Sequence, residues 1–274
     1  MSGRLPRLDP ASAGFVEDFR SGAAHPDRWV DHYLPQWTTA ERSRARWDVG
    51  PSGLRLRIDA DQPDWRPEDA PLRVSNLQTA TFGGPVGSTR GTHRHRPDGL
   101  VVRTPVPQRI LWAPRSGQVD VTVTASLDPG CMLAVWLVGT EHLDERDCGE
   151  ICLAEVDADA VTTDATTARV GIKAHHDPRL RTEMTEVTVP VGAGRPHTWS
   201  ARWDARGVVV ACDEEVVFTS AQVLDQPLQL MVDLFETAPP SAAGDYPKTA
   251  LVHAVTGTGV PPQDSGAHSG SGHR

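Results

Sequence analysis

Short runs in which apolar and polar residues alternate recur along this chain. The clearest run covers residues 117–125, where valine occupies positions 119, 121 and 123 and polar residues occupy the positions between. A period of two puts the valines on one face and the polar side chains on the other. This pattern predicts a half-buried antiparallel strand.

Several other segments have the length and composition of strands, and turn residues separate them. These segments are residues 53–58, 100–103, 197–203, 207–212, 215–219, 229–235 and 249–255. The chain also contains 24 glycines and 23 prolines, scattered between the apolar runs. Many short strands joined by turns favour an all-β fold, and we predict a two-sheet antiparallel β-sandwich.

The rest of the chain divides into loops and terminal segments. Residues 59–99 are rich in Pro, Gly, Asp and Arg and have little periodicity, so we predict long loops that carry binding groups. The segment from Pro261 is small, polar and repetitive, which predicts disorder and argues against a metal site at its histidines. We therefore predict an N-terminal extension (1–12), one domain (13–257) and a disordered tail (258–274).

Composition limits the partners of the chain. A formal net charge of −9 disfavours nucleic acid as a partner. The first residues lack the apolar run of a secretory leader, and the sequence has no stretch of about 18 apolar residues that would span a membrane. We therefore expect a cytoplasmic protein without a membrane partner, although export by another route stays open. Its four cysteines are expected to be thiols, with neither a disulfide framework nor a structural zinc site.

Two glutamates interrupt a segment that otherwise has the composition of a buried strand. Glu150 and Glu155 are five positions apart, so strict alternation would put them on opposite faces. One extra residue in a β-bulge at Leu153 or Ala154 would return them to the same face. Four effective steps separate their Cα atoms by roughly 13 Å, whereas retaining glycosidases need carboxyl groups about 5–5.5 Å apart. If the pair acts as in a retaining glycosidase, the two side chains must therefore converge across a concave sheet.

The sequence Glu150-Ile-Cys-Leu-Ala-Glu155 resembles the active strand of glycoside hydrolase family 16, which has the pattern Glu-x-Asp-x-x-Glu or Glu-x-Asp-x-Glu. The resemblance implies that Glu150 is the nucleophile and Glu155 the general acid/base. It also implies a concanavalin A-like jelly roll with a concave active-site cleft, and an oligosaccharide or polysaccharide substrate with β-linkages. No cofactor and no metal are implied.

Three other segments are similar to family motifs, in the same order along the chain. Residues 130–139 resemble a Gly-x-Trp-Pro-Ala-Phe-Trp-Leu strand, and residues 197–203 resemble a His-x-Tyr-x-x-x-Trp strand. Residues 171–176 follow the active strand at a place where family members carry a substrate-facing histidine. The resemblance implies that His175 binds substrate, with an exposed loop position as the alternative for His175 and also for His176. Trp136 is a second candidate for substrate binding, with core packing as the alternative.

The chain departs from the motif at Cys152, which stands where the family has aspartate. A thiol is mostly neutral at pH 7 and cannot share a proton as a carboxylate does. The sequence also lacks the family's tryptophan before Glu150, which leaves the glycan and its linkage open. Two alternatives to a hydrolase therefore remain, a non-catalytic lectin-like protein and a transglycosylase. The sequence does not give the oligomeric state.

Other aromatic and histidine residues favour structural interpretations. Trp199 and Trp203 share one face of a predicted strand, which is typical of a core. Residues 91–97 contain two histidines one residue apart, but without thiols or carboxylates beside them. We expect a solvated basic loop there rather than a metal site.

Overall fold

The computed structural model describes residues 3–96, 98–190, 192–239 and 242–259. Within these ranges it contains sixteen strands, a single α-helical turn and six short 3-10 turns. The strands are β1 (Phe15–Asp18), β2 (Arg46–Gly50), β3 (Gly53–Ile58), β4 (Arg73–Gln78), β5 (Ala80–Thr81), β6 (Arg109–Ile110), β7 (Gly117–Thr124), β8 (Cys131–Gly139), β9 (Glu150–Asp157), β10 (Thr166–Lys173), β11 (Glu183–Val189), β12 (His197–Asp204), β13 (Gly207–Cys212), β14 (Glu215–Ser220), β15 (Leu228–Glu236) and β16 (Lys248–Gly257). The helix α1 covers Ala40–Ser43, and the 3-10 turns are Pro10–Ser12, Phe19–Ser21, Pro35–Trp37, Pro67–Asp69, Ala158–Ala160 and Ala243–Asp245.

The strands form two large antiparallel sheets. The eight-stranded sheet has the order β14-β13-β12-β7-β16-β3-β2, with β1 also paired to β16. The six-stranded sheet has the order β11-β10-β9-β8-β15-β4, and β5 and β6 form a small separate ribbon. This arrangement confirms the predicted all-β, two-sheet sandwich of the jelly-roll type.

The main core lies between the inner faces of the two sheets. The three alternating valines of β7 are 2% exposed or less, and the inward residues of β9 and β15 join the same cluster. Trp199 and Trp203 on β12 belong to this core with 1% and 0% exposure, as the sequence predicts. Burying these large side chains between two sheets is the main favourable contribution to stability.

A second apolar cluster covers the outer face of the six-stranded sheet. Loop residues before β2 and after β4 fold over this face and pack against residues of β8, β9 and β15. The cluster consists of Tyr33, Leu34, Trp37, Trp65, Val74, Leu100, Val102, Ala134, Trp136, Val138, Cys152, Met231 and Phe235. The outer face is therefore partly filled by apolar side chains, and the candidate site lies at the edge of this filling.

Most of the predicted strands are present, but two predictions are wrong. Residues 100–103 form no strand; Val102 donates its N–H to the Ser88 carbonyl at 2.8 Å, and this segment packs into the outer cluster. Residues 59–99 are not entirely loop, because they contain β4 and β5. Every residue of β4 is buried, so its sequence lacks the alternation by which a half-exposed strand is recognised.

The N-terminal residues from Gly3 onward lie along the eight-stranded sheet. Leu5 is 1% exposed, and its N–H bonds to the Glu214 carbonyl at 2.8 Å. At the other end, Thr258 donates its N–H to the Gln118 carbonyl at 2.9 Å. The predicted disorder of the tail concerns residues that, from Val260 onward, lie outside the described ranges.

The four cysteines are buried and free. None of the helices in the described part of the chain is long and apolar enough to cross a membrane.

Candidate active site

The candidate site is built on β9, which carries a bulge. Across the ladder with β8, Val135 pairs with Ala154, but the next residue, Trp136, pairs with Cys152. Leu153 is thus the extra residue on β9, at one of the two positions that the spacing predicts. Leu153 and Ala154 both join the inter-sheet core, and this returns Glu155 to the outer face that Glu150 occupies.

The bulge brings three polar side chains together on the outer face. A carboxylate oxygen of Glu150, a carboxylate oxygen of Glu155 and the Cys152 sulfur all lie within 4.8 Å of one another. The side chains of Glu150 and Glu155 are 1% and 8% exposed. The structure therefore places two nearly buried carboxylates at close range, together with the thiol at the position between them in the motif.

Lys173 on β10 bridges the two carboxylates, and the sequence analysis missed it. It stands directly opposite Glu150 in the β9–β10 ladder. Its ammonium lies 3.0 Å from Glu150 Oε1, forms a second, short ion pair with Glu155 and sits 4.9 Å from the Trp136 ring centroid. Burial alone would lower the pKa of Lys173, but the facing carboxylates of Glu150 and Glu155 raise it above its usual value.

His175 completes the surroundings of Glu150. Its Nε2 lies 2.8 Å from Glu150 Oε2, so the structure brings this sequence-predicted residue to the carboxylate. Burial would raise the pKa of Glu150, but the nearby Lys173 and the hydrogen bond from His175 outweigh it and lower the pKa to about 2. Glu150 is therefore an anion over the whole range in which proteins usually operate.

Glu155 has a second cationic partner. Arg169 on β10 stands opposite Glu155 in the ladder, and its Nε donates to Glu155 Oε2 at 3.1 Å. The same guanidinium also forms a short ion pair with Asp157. Glu155 is thus held between Arg169 on one side and Lys173 on the other.

Cys152 is a neutral thiol in this setting. Burial, and then the charges of Glu155 and Glu150, raise its pKa well above the usual value. Its sulfur lies 3.4 Å from the Arg169 carbonyl, to which the S–H donates. The thiol hydrogen therefore points to the backbone, and Cys152 offers no charge to either carboxylate.

The loop that contains His93 and His95 is not a solvated basic loop, and this expectation is wrong. His93 is 6% exposed, and its ring lies 4.9 Å from the His175 ring and 6.0 Å from the Trp136 ring, measured between centroids. Burial and the neighbouring His175 lower the pKa of His93 well below its usual value. The His95 ring packs 5.6 Å from Trp65, and burial lowers its pKa to about 4. Sequence spacing missed this cluster because distant segments supply the neighbours.

Three residues around the site adopt left-handed backbone conformations that side chains other than glycine rarely take. Their φ values are 54° for His93, 56° for Glu141 and 49° for His175. The Glu141 carboxylate accepts the N–H of His93 at 2.5 Å, and burial raises the pKa of Glu141 to about 8. Non-glycine residues with positive φ concentrate at functional sites, where the surrounding structure holds them in place. Both histidines next to Glu150 are positioned in this way.

Trp136 lies on the outer face rather than in the inter-sheet core. It is 6% exposed and packs against Phe235, with 5.5 Å between ring centroids. The Lys173 ammonium lies 4.9 Å from the Trp136 ring centroid. The structure thus puts Trp136 beside the carboxylate pair but leaves little of its surface open to a ligand.

Asp233 on β15 is a further acidic residue near the site. It is fully buried and stands opposite Ala134, which in turn stands opposite Glu155. Burial, and then the charge of Glu150, raise the pKa of Asp233 well above its usual value. The sequence analysis missed Asp233; the signal that could have identified it is a charged residue type within the apolar strand 229–235.

A pocket of about 270 Å³ reaches Glu141, which bonds to His93, and His176, which follows His175 in the chain. Arg90, Arg94, Arg146 and His176 line it together with Glu141, and further contacts come from Thr89, Gly91 and Glu145. His176 is exposed there, as the sequence analysis allowed for this residue. The site therefore has a polar, mixed-charge pocket on the side of the buried histidines.

The fold is shared with solved glycosidase structures. An endo-β-galactosidase from Clostridium perfringens, described as GlcNAcα1-4Gal releasing, matches 89% of this chain and 62% of its own chain, with 19% identity and a TM-score of 0.74. SCLam, a non-specific endo-β-1,3(4)-glucanase from family GH16, matches 93% and 94% with 15% identity and a TM-score of 0.61. The Crh5 transglycosylase matches 96% and 89% with 16% identity and a TM-score of 0.58.

These likenesses show that the chain has a fold like that of the family 16 glycoside hydrolases. The chain spans less than two thirds of the length of the endo-β-galactosidase. No family model matches the sequence, and no curated protein matches it.

Proposed function

We propose that the chain is a retaining glycosidase for β-linked glycans, with Glu150 as nucleophile and Glu155 as general acid/base. The observation that carries the proposal is the position of the two carboxylates, whose oxygens lie within 4.8 Å of each other on one face of a bulged strand. Retaining enzymes hold their carboxyl groups about 5–5.5 Å apart, because one attacks the anomeric carbon while the other protonates the leaving oxygen. The separation thus supports retention rather than inversion.

The electrostatics of Glu150 suit a nucleophile. A nucleophilic carboxylate must be ionised when substrate binds, and a pKa of about 2 meets this requirement. The hydrogen bond from His175 also fixes the orientation of the carboxylate. In the first step Glu150 attacks the anomeric carbon, the glycosidic bond breaks, and the leaving oxygen takes a proton from Glu155. Water then attacks the glycosyl ester and returns a proton to Glu155.

Lys173 contacts both of the proposed catalytic glutamates. Its ammonium forms ion pairs with both glutamates, whereas the first chemical step needs a proton on Glu155. We infer that the bound sugar displaces the Lys173 ammonium from Glu155 Oε1, so that the leaving oxygen reaches this carboxyl group while Arg169 stays paired with Oε2.

A second candidate function is non-catalytic carbohydrate binding. It is favoured by the near-complete burial of Glu150 beneath Lys173 and His175, and by the neutral Cys152 in place of an acidic residue. In this alternative the ion pairs are permanent and glycan binds without turnover. A transglycosylase would share the first chemical step and differ in the acceptor, since a second sugar replaces water.

The test is covalent trapping followed by peptide mass spectrometry. The protein is incubated with 2-deoxy-2-fluoro β-glycosides of galactose, glucose and xylose and with epoxyalkyl β-oligosaccharides of the corresponding glycans. We expect an adduct on Glu150 that is absent in Glu150→Gln and unchanged in Glu215→Gln, a control carboxylate that is exposed on the other sheet. An adduct elsewhere would contradict the assignment of the nucleophile. Oligosaccharide binding without any adduct would support the lectin-like alternative.

A further inference from the structure

His93, His175 and Glu150 form a cluster with the composition of a transition-metal site. One ligand atom from each of the three residues lies within 4.8 Å of the other two. Two imidazoles and one carboxylate are a donor set that suits Zn²⁺, Co²⁺, Ni²⁺ and Cu²⁺. We propose that this cluster binds a divalent transition-metal ion, with the three side chains as ligands and a fourth position for water.

The arrangement of the His93 ring supports the proposal. Its Nδ1 is buried and has no hydrogen-bond partner within the described part of the chain. A buried polar nitrogen without a partner costs free energy, so it indicates either strain or a missing ligand. Meanwhile the backbone of His93 is fixed by the Glu141 carboxylate, which accepts its N–H. The ring is thus held in place by the protein rather than by a contact of its own Nδ1.

The His175–Glu150 pair needs little movement to accept an ion. Its Nε2 and Oε2 atoms are 2.8 Å apart, whereas two ligands at about 2.0 Å from a tetrahedral metal are roughly 3.3 Å apart. Opening the pair by about half an ångström would replace the shared proton with the metal. The side chain of His175 is 16% exposed, which gives the ion a route to the cluster.

The positive charge of Lys173 should weaken metal binding at this cluster. Its ammonium is 3.0 Å from Glu150 Oε1, the oxygen that does not bond to His175. A positive charge at this place repels a divalent cation, yet it leaves Oε2 as the ligand oxygen. Replacing Lys173 by glutamine should therefore strengthen metal binding, which a fortuitous surface site would not show.

Metal at this site would occupy the candidate nucleophile. This consequence rests on the proposed function, because a Glu150 oxygen bonded to metal no longer attacks an anomeric carbon. The ion would then be a reversible inhibitor whose removal restores activity. Metal binding itself is independent of any glycan and is tested without one.

The test is titration of the full chain with Co²⁺ and Zn²⁺, followed by visible absorption and by calorimetry. His268 and His273 are replaced by alanine in every sample, because they lie in a segment with two histidines outside the described residues. We expect one bound ion per chain. The affinity for this ion should fall more than about 100-fold in His93→Ala and in His175→Ala, which is a larger loss than removal of an outer-shell partner causes. His176→Ala, an exposed neighbour, should leave the affinity unchanged.

Two further variants keep the outcome clear if an alanine variant fails to fold. His175→Gln preserves size and a hydrogen bond to Glu150 but should bind the ion more weakly, and Lys173→Gln should bind it at least tenfold more tightly. Thermal melts in EDTA check folding of each variant. Unchanged Co²⁺ spectra in His93→Ala and His175→Ala would overturn the proposal. A loss of metal affinity in His197→Asn would also overturn it, because His197 belongs to the cluster with Cys212 and Asp213 on the other sheet. Failure of glycan trapping with intact metal binding would refute only the proposed function.

Discussion

Lys173 stands opposite Glu150 in the β9–β10 ladder, and its ammonium lies 3.0 Å from the Glu150 carboxylate. The same ammonium pairs with Glu155, so one cation contacts two carboxylates that lie on the same face of a bulged strand. Cys152 carries no charge at this site, and Lys173 is the cation that contacts both glutamates. Replacing Lys173 should therefore change the reactivity of the two glutamates more than any other single substitution nearby.

Lys173→Gln should move the acidic limb of kcat/KM to higher pH. Without the ammonium, burial acts on Glu150 with less opposition and its pKa rises from about 2, by about 1–3 units for the loss of a close opposite charge. Activity or trapping is measured between pH 3 and 9 in EDTA. Lys173→Arg, which keeps the charge, should retain the original limb. An unchanged limb in Lys173→Gln would mean that His175 alone keeps Glu150 ionised.

Cys152→Asp should increase the trapping rate on Glu150. It restores the acidic residue of the motif between the two glutamates, where a carboxyl group can share a proton, and general acid–base groups typically contribute about 10²–10⁴-fold. We expect a gain of roughly tenfold or more, since Lys173 already supplies part of the charge balance. Cys152→Ala is the control and should give no gain. If Cys152→Asp folds and Cys152→Ala matches its rate, the thiol is not what restrains turnover.

Deletion of Leu153 should preserve the carboxylate pair. It removes the extra residue of the bulge, leaving Glu150 and the second glutamate four apart and on one face by simple alternation. Stability should fall by about 2–5 kcal/mol because a fully buried leucine is lost. Urea unfolding gives the stability, and trapping gives the function.

Insertion of one alanine after Ala154 is the matched opposite change. It shifts Glu155 toward the inter-sheet core, so trapping should be lost together with folding stability. A deletion variant that folds but no longer reacts would show that the bulge does more than set the face of Glu155.

Acid should destabilise the protein through Glu150. Its pKa falls from 4.5 in the unfolded chain to about 2 in the folded protein. A lowered carboxylate pKa stabilises the folded state above pH 4.5, and this contribution is lost as the pH falls from about 4.5 to 2. The shift corresponds to about 3 kcal/mol.

Unfolding free energies from pH 7 to pH 2.5 test this prediction. Glu150→Gln should have a shallower acid dependence than wild type, and Glu215→Gln should follow wild type. Parallel curves for wild type and Glu150→Gln would contradict the assigned pKa.

The sequence by itself determined the fold class, most strands and the carboxylate pair. These features are local: alternation along β7 and β12 defines which side chains are buried, and a spacing of five residues requires a bulge at Leu153 or Ala154. A strand such as β4, buried on both faces, carries no such pattern and was missed. The apolar run at residues 100–103 looked like a strand for the converse reason, since burial under a loop also selects apolar residues.

Tertiary structure decided which residues surround the carboxylates. The register between β9 and β10 puts Lys173 opposite Glu150, and the folding of a loop more than fifty residues earlier in the chain brings His93 to His175. Neither relationship leaves a period in the sequence, because a register is fixed by pairing and packing between distant segments. The sequence therefore identified the two acidic groups, while the fold determined which cations and which histidines surround them.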